Sequence, residues 1–417
     1  MNIDRVSSII ANVLYAVDRM KMPVSKAFVY VCNRFGCGAA GVGREELFKL
    51  SRDFISSYYR IRYIIESVGG GHNPSYRMMA KVYLYLMFRE EGGIIPSRLR
   101  KSVQRGLPNI DSIEVIPAWA RLSYPRWLYE RLLDVLPSSD VEELLEAMNK
   151  ENVWIRVNTL KIDVDRALRN LEMEGVVLER DRDIPFLARV IKSGKPIRDI
   201  ELFKNGSIIV QDRASVLTVL AARPERNMIV YDFAAAPGVK ASLIMQLTEN
   251  SARIVAMDLS IRRLNSMKLL LKHYGVDVSK IDLIHTDSKR IVFGEKADLA
   301  LVDAACSNSG AVSKDPSVKI LLRDQSLPIK MKSTQIDMLL NALRHSYTTI
   351  YSVCSILPEE GEEVVDRVSK NASSHKLVDT GLKISRGYRK YDVWNVVSRT
   401  FPHIDKCEGF FIARFEY

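Results

Sequence analysis

Asp232-Phe-Ala-Ala-Ala-Pro-Gly-Val-Lys240 decides the fold of this chain, because it joins an apolar run, Met228 to Asp232, to a helical pattern over Lys240 to Leu247. Small side chains at the carboxyl end of a first strand let a ligand lie against the backbone. The unpaired N–H groups of the following helix then face that ligand. The stretch therefore reads as a nucleotide-type pocket, although a purely structural strand-to-helix turn has a similar composition. Neither the dinucleotide fingerprint GxGxxG nor the P-loop GxxxxGK[ST] is present, which disfavours NAD and ATP.

Working outward, strands alternate with helices from Gly206 onward, the mark of a doubly wound α/β domain. The predicted strands are Met228 to Asp232, Arg253 to Met257, Asp282 to Ile284, Leu299 to Val302, Thr348 to Ser352 and Phe410 to Phe415. Helical periodicity is expected over Ile261 to Tyr274, Lys332 to His345 and Glu359 to Asn371. Upstream, Trp127 to Leu136 and Val141 to Met148 read as helices and Val153 to Leu160 as a strand, in a small α+β module over 121–205. Residues 1–120 read as an all-helical domain, with Val6, Ile9, Ile10, Val13, Leu14 and Val17 at 3.6-residue spacing. Similar patterns run over Arg44 to Val68 and Tyr76 to Phe88, punctuated by Gly36 to Gly43 and Gly69 to Pro74. The doubly wound α/β domain is assigned to 206–417.

Acids end the successive strands. Asp258 follows the second, about 20 residues beyond the first turn, where a carboxylate can accept hydrogen bonds from both hydroxyls of a ribose. Asp287 ends the third and Asp303 the fourth. Singly, each could cap a helix or a turn. As a series they converge on the crevice where parallel sheets bind ligands, and their mutual repulsion makes a purely stabilising role hard to justify. Cys306 lies three residues past Asp303, and Cys354 follows the fifth strand. A lone Cys in apolar surroundings is usually inert, but two facing one crevice offer a soft nucleophile that could add to an electron-poor ring carbon.

The chain has 417 residues, 61 Lys+Arg against 50 Asp+Glu, and is 47% hydrophobic, so disorder throughout is excluded. Positive charge is concentrated at the start: residues 1–125 hold 18 basic and 10 acidic side chains. Such a region draws a polyanion such as RNA or DNA by counterion release; a solvated basic face without a partner is the plainer alternative. No run of about 18 apolar residues occurs, and charges interrupt Met1 to Met20, so a cytoplasmic protein with no membrane partner is expected. The odd, scattered cysteines (Cys32, Cys37, Cys306, Cys354 and Cys407) argue against a disulfide framework, and no zinc-spaced second pair accompanies Cys32 and Cys37, so no metal is expected. Nothing demands more than a monomer.

The motifs together resemble the RsmB-type (Fmu/Sun) RNA 5-methylcytosine methyltransferases. The resemblance is carried by Ala235-Ala-Pro-Gly-Val-Lys240, Asp258-Leu-Ser260, Asp303-Ala-Ala-Cys-Ser-Asn-Ser-Gly310, Ser352-Val-Cys-Ser-Ile-Leu-Pro-Glu-Glu360 and Glu408-Gly-Phe-Phe411, with Arg156-Val-Asn-Thr159 and Gln211-Asp-Arg-Ala-Ser215 upstream. Residues 1–120, especially Gly43 to Glu66, look more loosely like the NusB-type helical RNA-binding domain that precedes the catalytic part in RsmB itself. The resemblance implies a Rossmann-like domain that uses S-adenosylmethionine to methylate C5 of a cytosine in RNA, with rRNA favoured over tRNA. It implies that Cys354 adds to C6 of the base, that Cys306 assists loss of the C5 proton and enzyme release, and that Asp303 meets the N3 edge. It implies a cofactor site at Ala234, Ala235, Ala236, Pro237, Gly238, Val239, Lys240, Asp258, Asp287 and Asp303. Arg263 falls where some relatives place a cofactor-contacting Arg, and equally where a solvated helix residue would sit.

The chain departs from the family pattern at Val239, Ala241, Ala305, Asn308 and Val353. Asn308 can still adopt a left-handed backbone. Val239 crowds the turn, and Ala305 loses a fixed backbone angle. These departures leave a second reading, a catalytically weak RNA-binding or assembly factor of the same fold. DNA cytosine methylation would leave Cys354 without a role, and exocyclic-amine methylation lacks an Asn/Asp-Pro-Pro-aromatic segment after the fourth strand.

Overall fold

The computed structural model of the chain describes residues 1–69, 74–113, 115–371 and 374–417. The contacts divide it into two compact units. One comprises Met1–Lys150 together with Ala311–Gln325; the other comprises Glu151–Gly310 and Ser326–Tyr417.

The first unit is helical. Its opening helix, Ile3–Met20, starts where the Asn2 side chain accepts the Arg5 N–H and ends at Lys21 in a left-handed conformation. The six apolar residues spaced at 3.6 all lie on its buried face. The apolar pattern over Arg44 to Val68 is two helices rather than one, Arg44–Ser56 and Tyr58–Val68, breaking at Ser57. The helix Tyr76–Glu90 is capped by Ser75. Of the expected punctuation over Gly69 to Pro74, residues 70–73 lie outside the described residues. Ile320, from the returning segment 311–325, is buried in the same core as Val6, Leu14, Phe54 and Leu84. Beside it the Lys319 side chain is fully buried. Its Nζ donates to Ser56 O at 2.8 Å and lies 4.2 Å from the Tyr124 ring centre. Arg323 closes the segment against Asp18 at 2.7 Å.

Cys32 and Cys37 form a disulfide across the end of the helix Val24–Phe35, correcting the expectation that no cysteines pair. The odd total concealed a local pair: the chain turns at Phe35 and Gly36 and brings the two Cα atoms to 5.0 Å. Cys306, Cys354 and Cys407 are free thiols.

The second unit holds two sheets. In the smaller, β1 (Val153–Val157), β2 (Val177–Arg180), β3 (Leu187–Lys192) and β4 (Ile208–Val210) pair antiparallel in the order β2-β3-β1-β4. The helix Val164–Met173 buries Ala167, Leu168 and Leu171 against Ile155 and Val157 of β1.

The larger sheet comprises β5 (Ile229–Asp232), β6 (Arg253–Asp258), β7 (Ile281–His285), β8 (Ala297–Asp303), β9 (Ser346–Val353), β10 (Lys376–Val378), β11 (Ser398–Thr400) and β12 (Phe410–Glu416). Its order is β10-β12-β9-β8-β5-β6-β7, with β11 on β12. The five strands β5 to β9 run parallel, while β12 enters antiparallel to β9. Covered on both faces, β8 and β9 are almost continuously buried, as a parallel sheet requires. From β5 the chain winds one way through β6 and β7, and the other way through β8 and β9. The carboxyl ends of β5, β6 and β8 therefore flank a topological switch point. This is the Rossmann-like arrangement expected from the alternating pattern. The six predicted strands stand at the expected places; the short β10 and β11, with no periodicity of their own, were not foreseen. Among the described residues, no helix is long and apolar enough to cross a membrane.

Candidate active site

The turn after β5 carries the first group of candidate residues. Ala235 and Ala236 are buried, Ala234, Val239 and Lys240 half-buried, and Pro237 exposed. Gly238 has φ +99°, and a Cβ there would stand 2.7 Å from Met267 Cγ, so the turn admits no side chain at that point. The helix Val239–Leu247 follows directly. A buried cation secures it from beneath: Arg156 of β1 donates to Gln246 Oε1 at 2.9 Å and Ser242 Oγ at 2.7 Å. The motif Arg156-Val-Asn-Thr159 thus anchors the helix that begins at the ligand turn, a role that sequence spacing alone did not assign.

The strand-end acids meet different partners. Asp303 is bound on both oxygens, by Lys240 Nζ at 2.6 Å and by Ser352 Oγ at 2.8 Å. Burial works against the charge on Lys240, but Asp303 more than offsets it, and the ammonium is held above its ordinary value. Asp232, which opens the quoted stretch and was not among the predicted site residues, is fully buried. Burial chiefly, then Asp303 nearby, pushes its carboxyl up to about 7, against the pull of the Ala234 N–H. Asp258 accepts Ser260 N at 2.9 Å and pairs with Arg263 Nη1 at 3.2 Å. Arg263 also donates to Ala236 O, so it bridges the β6 acid and the β5 turn. Asp287 lies beyond β7, half-buried, with Lys289 Nζ at 3.6 Å.

The two candidate thiols converge. Cys306 Sγ and Cys354 Sγ are 3.0 Å apart, and Cys354 Sγ is 2.9 Å from Asn308 Oδ1. Their loops leave the neighbouring strands β8 and β9, paired through Asp303 and Ser352. Hydrogen bonding to Cys354, reinforced by burial, raises the Cys306 thiol well above its ordinary value. Asn308 has φ +57°, the left-handed conformation anticipated for it.

Glu360 holds these loops together, and its role was missed although it closes a quoted motif. Its Oε1 accepts Ser307 N at 2.8 Å and Gln335 Nε2 at 3.2 Å; its Oε2 accepts Ser307 Oγ at 2.5 Å and Ser355 Oγ at 2.6 Å. Ser307 and Ser355 each follow one of the cysteines, so one carboxylate fixes both. The signal was Ser355 and Glu360 lying within a few residues of Cys354, but only the fold reveals that they share partners. Farther back, Arg399 donates to Ser355 O at 2.9 Å and forms a buried pair with Glu362 at 2.6 Å. Gly310 N donates to Cys354 O at 3.0 Å and Gly310 O accepts Gly409 N at 2.9 Å. Among the described residues, no three His, Cys, Asp or Glu side chains cluster to hold a metal.

Comparison with known proteins agrees with this geometry. Residues 218–416 match the family 16S rRNA methyltransferase RsmB/F, and residues 124–192 match the ferredoxin-like domain of RsmF/B-like methyltransferases. A human 28S rRNA (cytosine(4447)-C(5))-methyltransferase is 31% identical over 319 residues, 70% of this chain and 38% of its own. The Escherichia coli ribosomal RNA small subunit methyltransferase B is 26% identical over 298 residues, 71% of this chain and 66% of its own. The chain thus spans about two fifths of the human relative. A crystal structure of a methyltransferase homologue from Pyrococcus horikoshii superposes with a TM-score of 0.64 at 27% identity, covering 72% of this chain and 97% of that one. Residues 218–416 thus carry the RsmB/F rRNA methyltransferase domain, and 124–192 the ferredoxin-like domain of the same family.

Proposed function

We propose that the chain is an S-adenosylmethionine-dependent RNA cytosine-C5 methyltransferase acting on rRNA. The observation that carries this reading is the pair of thiols 3.0 Å apart at the ends of adjacent parallel strands, beside Asp303. The names of the human and E. coli relatives, a 28S rRNA and a small-subunit ribosomal RNA methyltransferase, favour rRNA.

The residues present fit the cofactor. Small side chains at 234–238 admit a ligand against the backbone, Asp258 presents a buried carboxylate suited to ribose hydroxyls, and Asp303 adds a strand-end carboxylate beside the turn. Ala234, Ala235, Ala236, Pro237, Gly238, Val239, Lys240, Asp258, Asp287 and Asp303 would hold it, with Arg263 steering Asp258. When bound, S-adenosylmethionine supplies the electrophilic methyl group that ends on C5.

In this reading Cys354 passes its thiol proton to solvent and its sulfur bonds to C6 of an unstacked cytosine, whose C5–C6 π pair moves to C5 and makes it electron-rich. Asp303, oriented by Lys240 and Ser352, meets the N3 edge. Cys306 keeps its proton first because of the neighbouring Cys354 sulfur. Bonding of that sulfur to carbon removes the largest of these restraints, so that Cys306 can release its thiol proton to solvent and, as the thiolate, take the C5 proton, whose C–H pair re-forms the C5–C6 double bond. Loss of that proton lets the Cys354–C6 bond break and releases the methylated base. Residues 1–120, the most basic part of the chain, would contribute RNA affinity.

The test is mass spectrometry of nucleosides from cellular RNA incubated with the protein and methyl-labelled S-adenosylmethionine. Labelled 5-methylcytidine is expected from the unmutated protein, none from Cys354→Ala, and a protein–RNA adduct resistant to denaturant from Cys306→Ala. Full turnover by Cys354→Ala refutes the mechanism.

A further inference from the structure

The helical unit contains a cleft of about 350 Å³ that none of the motifs above accounts for. It is lined by the aromatic residues Tyr59, Tyr63, Trp119 and Trp127 and by Arg62, Arg126 and Arg323, with Glu66 as the one acid. Tyr63 and Trp119 meet edge to face at 5.5 Å between ring centres, which leaves a ring face of each available to a third planar group. Its volume lies at the lower end of the ~300–1,000 Å³ of ligand pockets, matched to one nucleoside rather than a long ligand.

A second observation points to a polar ligand. Tyr59 is nine-tenths buried, yet its hydroxyl has no hydrogen-bond partner among the described residues. Tyr59 lines the cleft together with Arg62 and Arg323. A buried hydroxyl without a partner costs stability unless something bound supplies one. Arg126 and Arg323, whose partners in the structure are the carboxylates Glu130 and Asp18, have further N–H groups to turn to a phosphate, and the rings suit the face of a base.

We propose that this cleft binds one splayed nucleotide of single-stranded RNA, its base stacked on Trp119 and Tyr63 and hydrogen-bonded to the Tyr59 hydroxyl, its phosphate met by Arg126 and Arg323. The inference rests on the RNA-methylating reading and deepens it, because it separates a holding site for the RNA from the site where a cytosine reacts. Arg323 and Gln325 of the cleft lie on the segment that leaves the Cys306–Gly310 motif, only seventeen residues beyond Cys306 in the chain. Nucleotide bound there grips the chain that continues into the thiol loop.

Heptauridylate is the probe, since it lacks cytosine and bypasses the methylation chemistry. Binding to the full chain is read by anisotropy of end-labelled heptauridylate and by quenching of tryptophan fluorescence. Trp119→Ala should weaken binding about tenfold, matching the ~1–3 kcal/mol of one stacked base, while Trp119→Phe stays within about threefold. Tyr59→Phe, which removes only the unpartnered hydroxyl, should weaken it about fivefold without lowering thermal stability. Heptauridylate cannot be methylated, so the two readings fail separately: an unmutated chain that binds it as described but puts no label into cellular RNA overturns the catalytic reading and leaves this one standing. Undetectable binding, equal affinity across the Trp119 and Tyr59 variants, or equal quenching by heptaglutamate, the mark of an acidic protein partner, overturns the proposal.

Discussion

Glu360→Gln isolates what sets the distance between the two thiols. The carboxylate accepts four hydrogen bonds, from Ser307 N–H, Gln335 Nε2, Ser307 Oγ and Ser355 Oγ, in a site with no solvent exposure. A glutamine of the same shape offers one oxygen and one NH₂. With the NH₂ on the Oε1 side it faces the Ser307 N–H, which cannot reverse, and Gln335, which can turn its amide only by giving up its bond to Ala305 O. On the Oε2 side it faces two hydroxyls that can rotate to accept, but Ser307 Oγ already accepts Ser309 N and Ser355 Oγ already accepts Leu357 N. Two hydrogen bonds to a charged group, each worth about 1.5–3 kcal/mol, are therefore lost or weakened. Burial raises the Glu360 carboxyl even against these bonds, so removing the charge returns part of that loss, and a net destabilisation of about 1–3 kcal/mol is expected. Because Ser307 and Ser355 adjoin Cys306 and Cys354, the larger effect falls on thiol placement, where an error near 1 Å costs roughly 100-fold in rate. Two assays read this: single-turnover methylation at saturating RNA and S-adenosylmethionine, and the rate at which oxidised glutathione closes a Cys306–Cys354 disulfide. Both should fall at least tenfold, the second whatever the protein's activity. Oxidative closure and methylation within threefold of the unmutated chain would refute the clamp.

The remaining predictions probe other parts of the chain. Gly310→Ala puts a Cβ 1.8 Å from Gly409 O, a backbone atom that cannot swing away, so a loss of about 3 kcal/mol is expected in urea unfolding. Gly294→Ala, with nothing within 4 Å, serves as control, and equal midpoints for the two would contradict the close approach. The Asp232 carboxyl is raised to about 7 by burial, so its native state binds a proton more tightly than the unfolded chain. Its stability contribution is present at low pH and lost as pH rises from about 4 to about 7, with an upper bound of about 4 kcal/mol. Urea midpoints of Asp232→Asn should lack that slope between pH 5 and pH 8, and parallel profiles would argue against it. Burial holds Lys319 well below its ordinary value, so the unfolded chain binds the proton more tightly, and stability rises with pH in the window below the ordinary lysine range. Lys319→Met should flatten that rise between pH 7 and pH 9, read by fluorescence of Trp119 and Trp127; an unchanged slope would count against a buried ammonium.

Local sequence carries strands and helices when burial repeats with a fixed period, and much of this fold was legible on that ground. β5, β6 and β8 are largely apolar runs ending in an acid, β9 is rich in β-branched and aromatic residues and stops just before Cys354, and the apolar stripe of Ile3–Met20 keeps its helical spacing. β10 and β11 are three residues each, too short for a period, and they exist because β12 offers an edge to pair with. Cys32 and Cys37 escaped for a related reason: five residues apart, they are joined by a turn whose course the composition does not encode.

The site divides along the same line. Residues that offer chemistry directly, such as Cys306, Cys354, Asp303 and Asp258, declare themselves by type and by their place at strand ends. Residues that act by holding others do not, because their worth depends on partners remote in sequence. Glu360 reaches Ser307 across 53 positions, and Arg156 reaches Gln246 across 90. Neither separation follows from a helix or strand period: the first follows from the parallel pairing of β8 with β9, the second from the approach of the smaller sheet's β1 to the helix Val239–Leu247. Topology must therefore be known before the holding residues can be read. Substitutions there should test the sheet order as sharply as the chemistry: Arg156→Met strands Ser242 Oγ and Gln246 Oε1 beneath the helix Val239–Leu247. It should weaken S-adenosylmethionine binding, measured by calorimetry, while Cys306–Cys354 closure by oxidised glutathione stays unchanged. A change in closure with cofactor affinity intact would mean that β1 supports the thiol loops rather than the ligand turn.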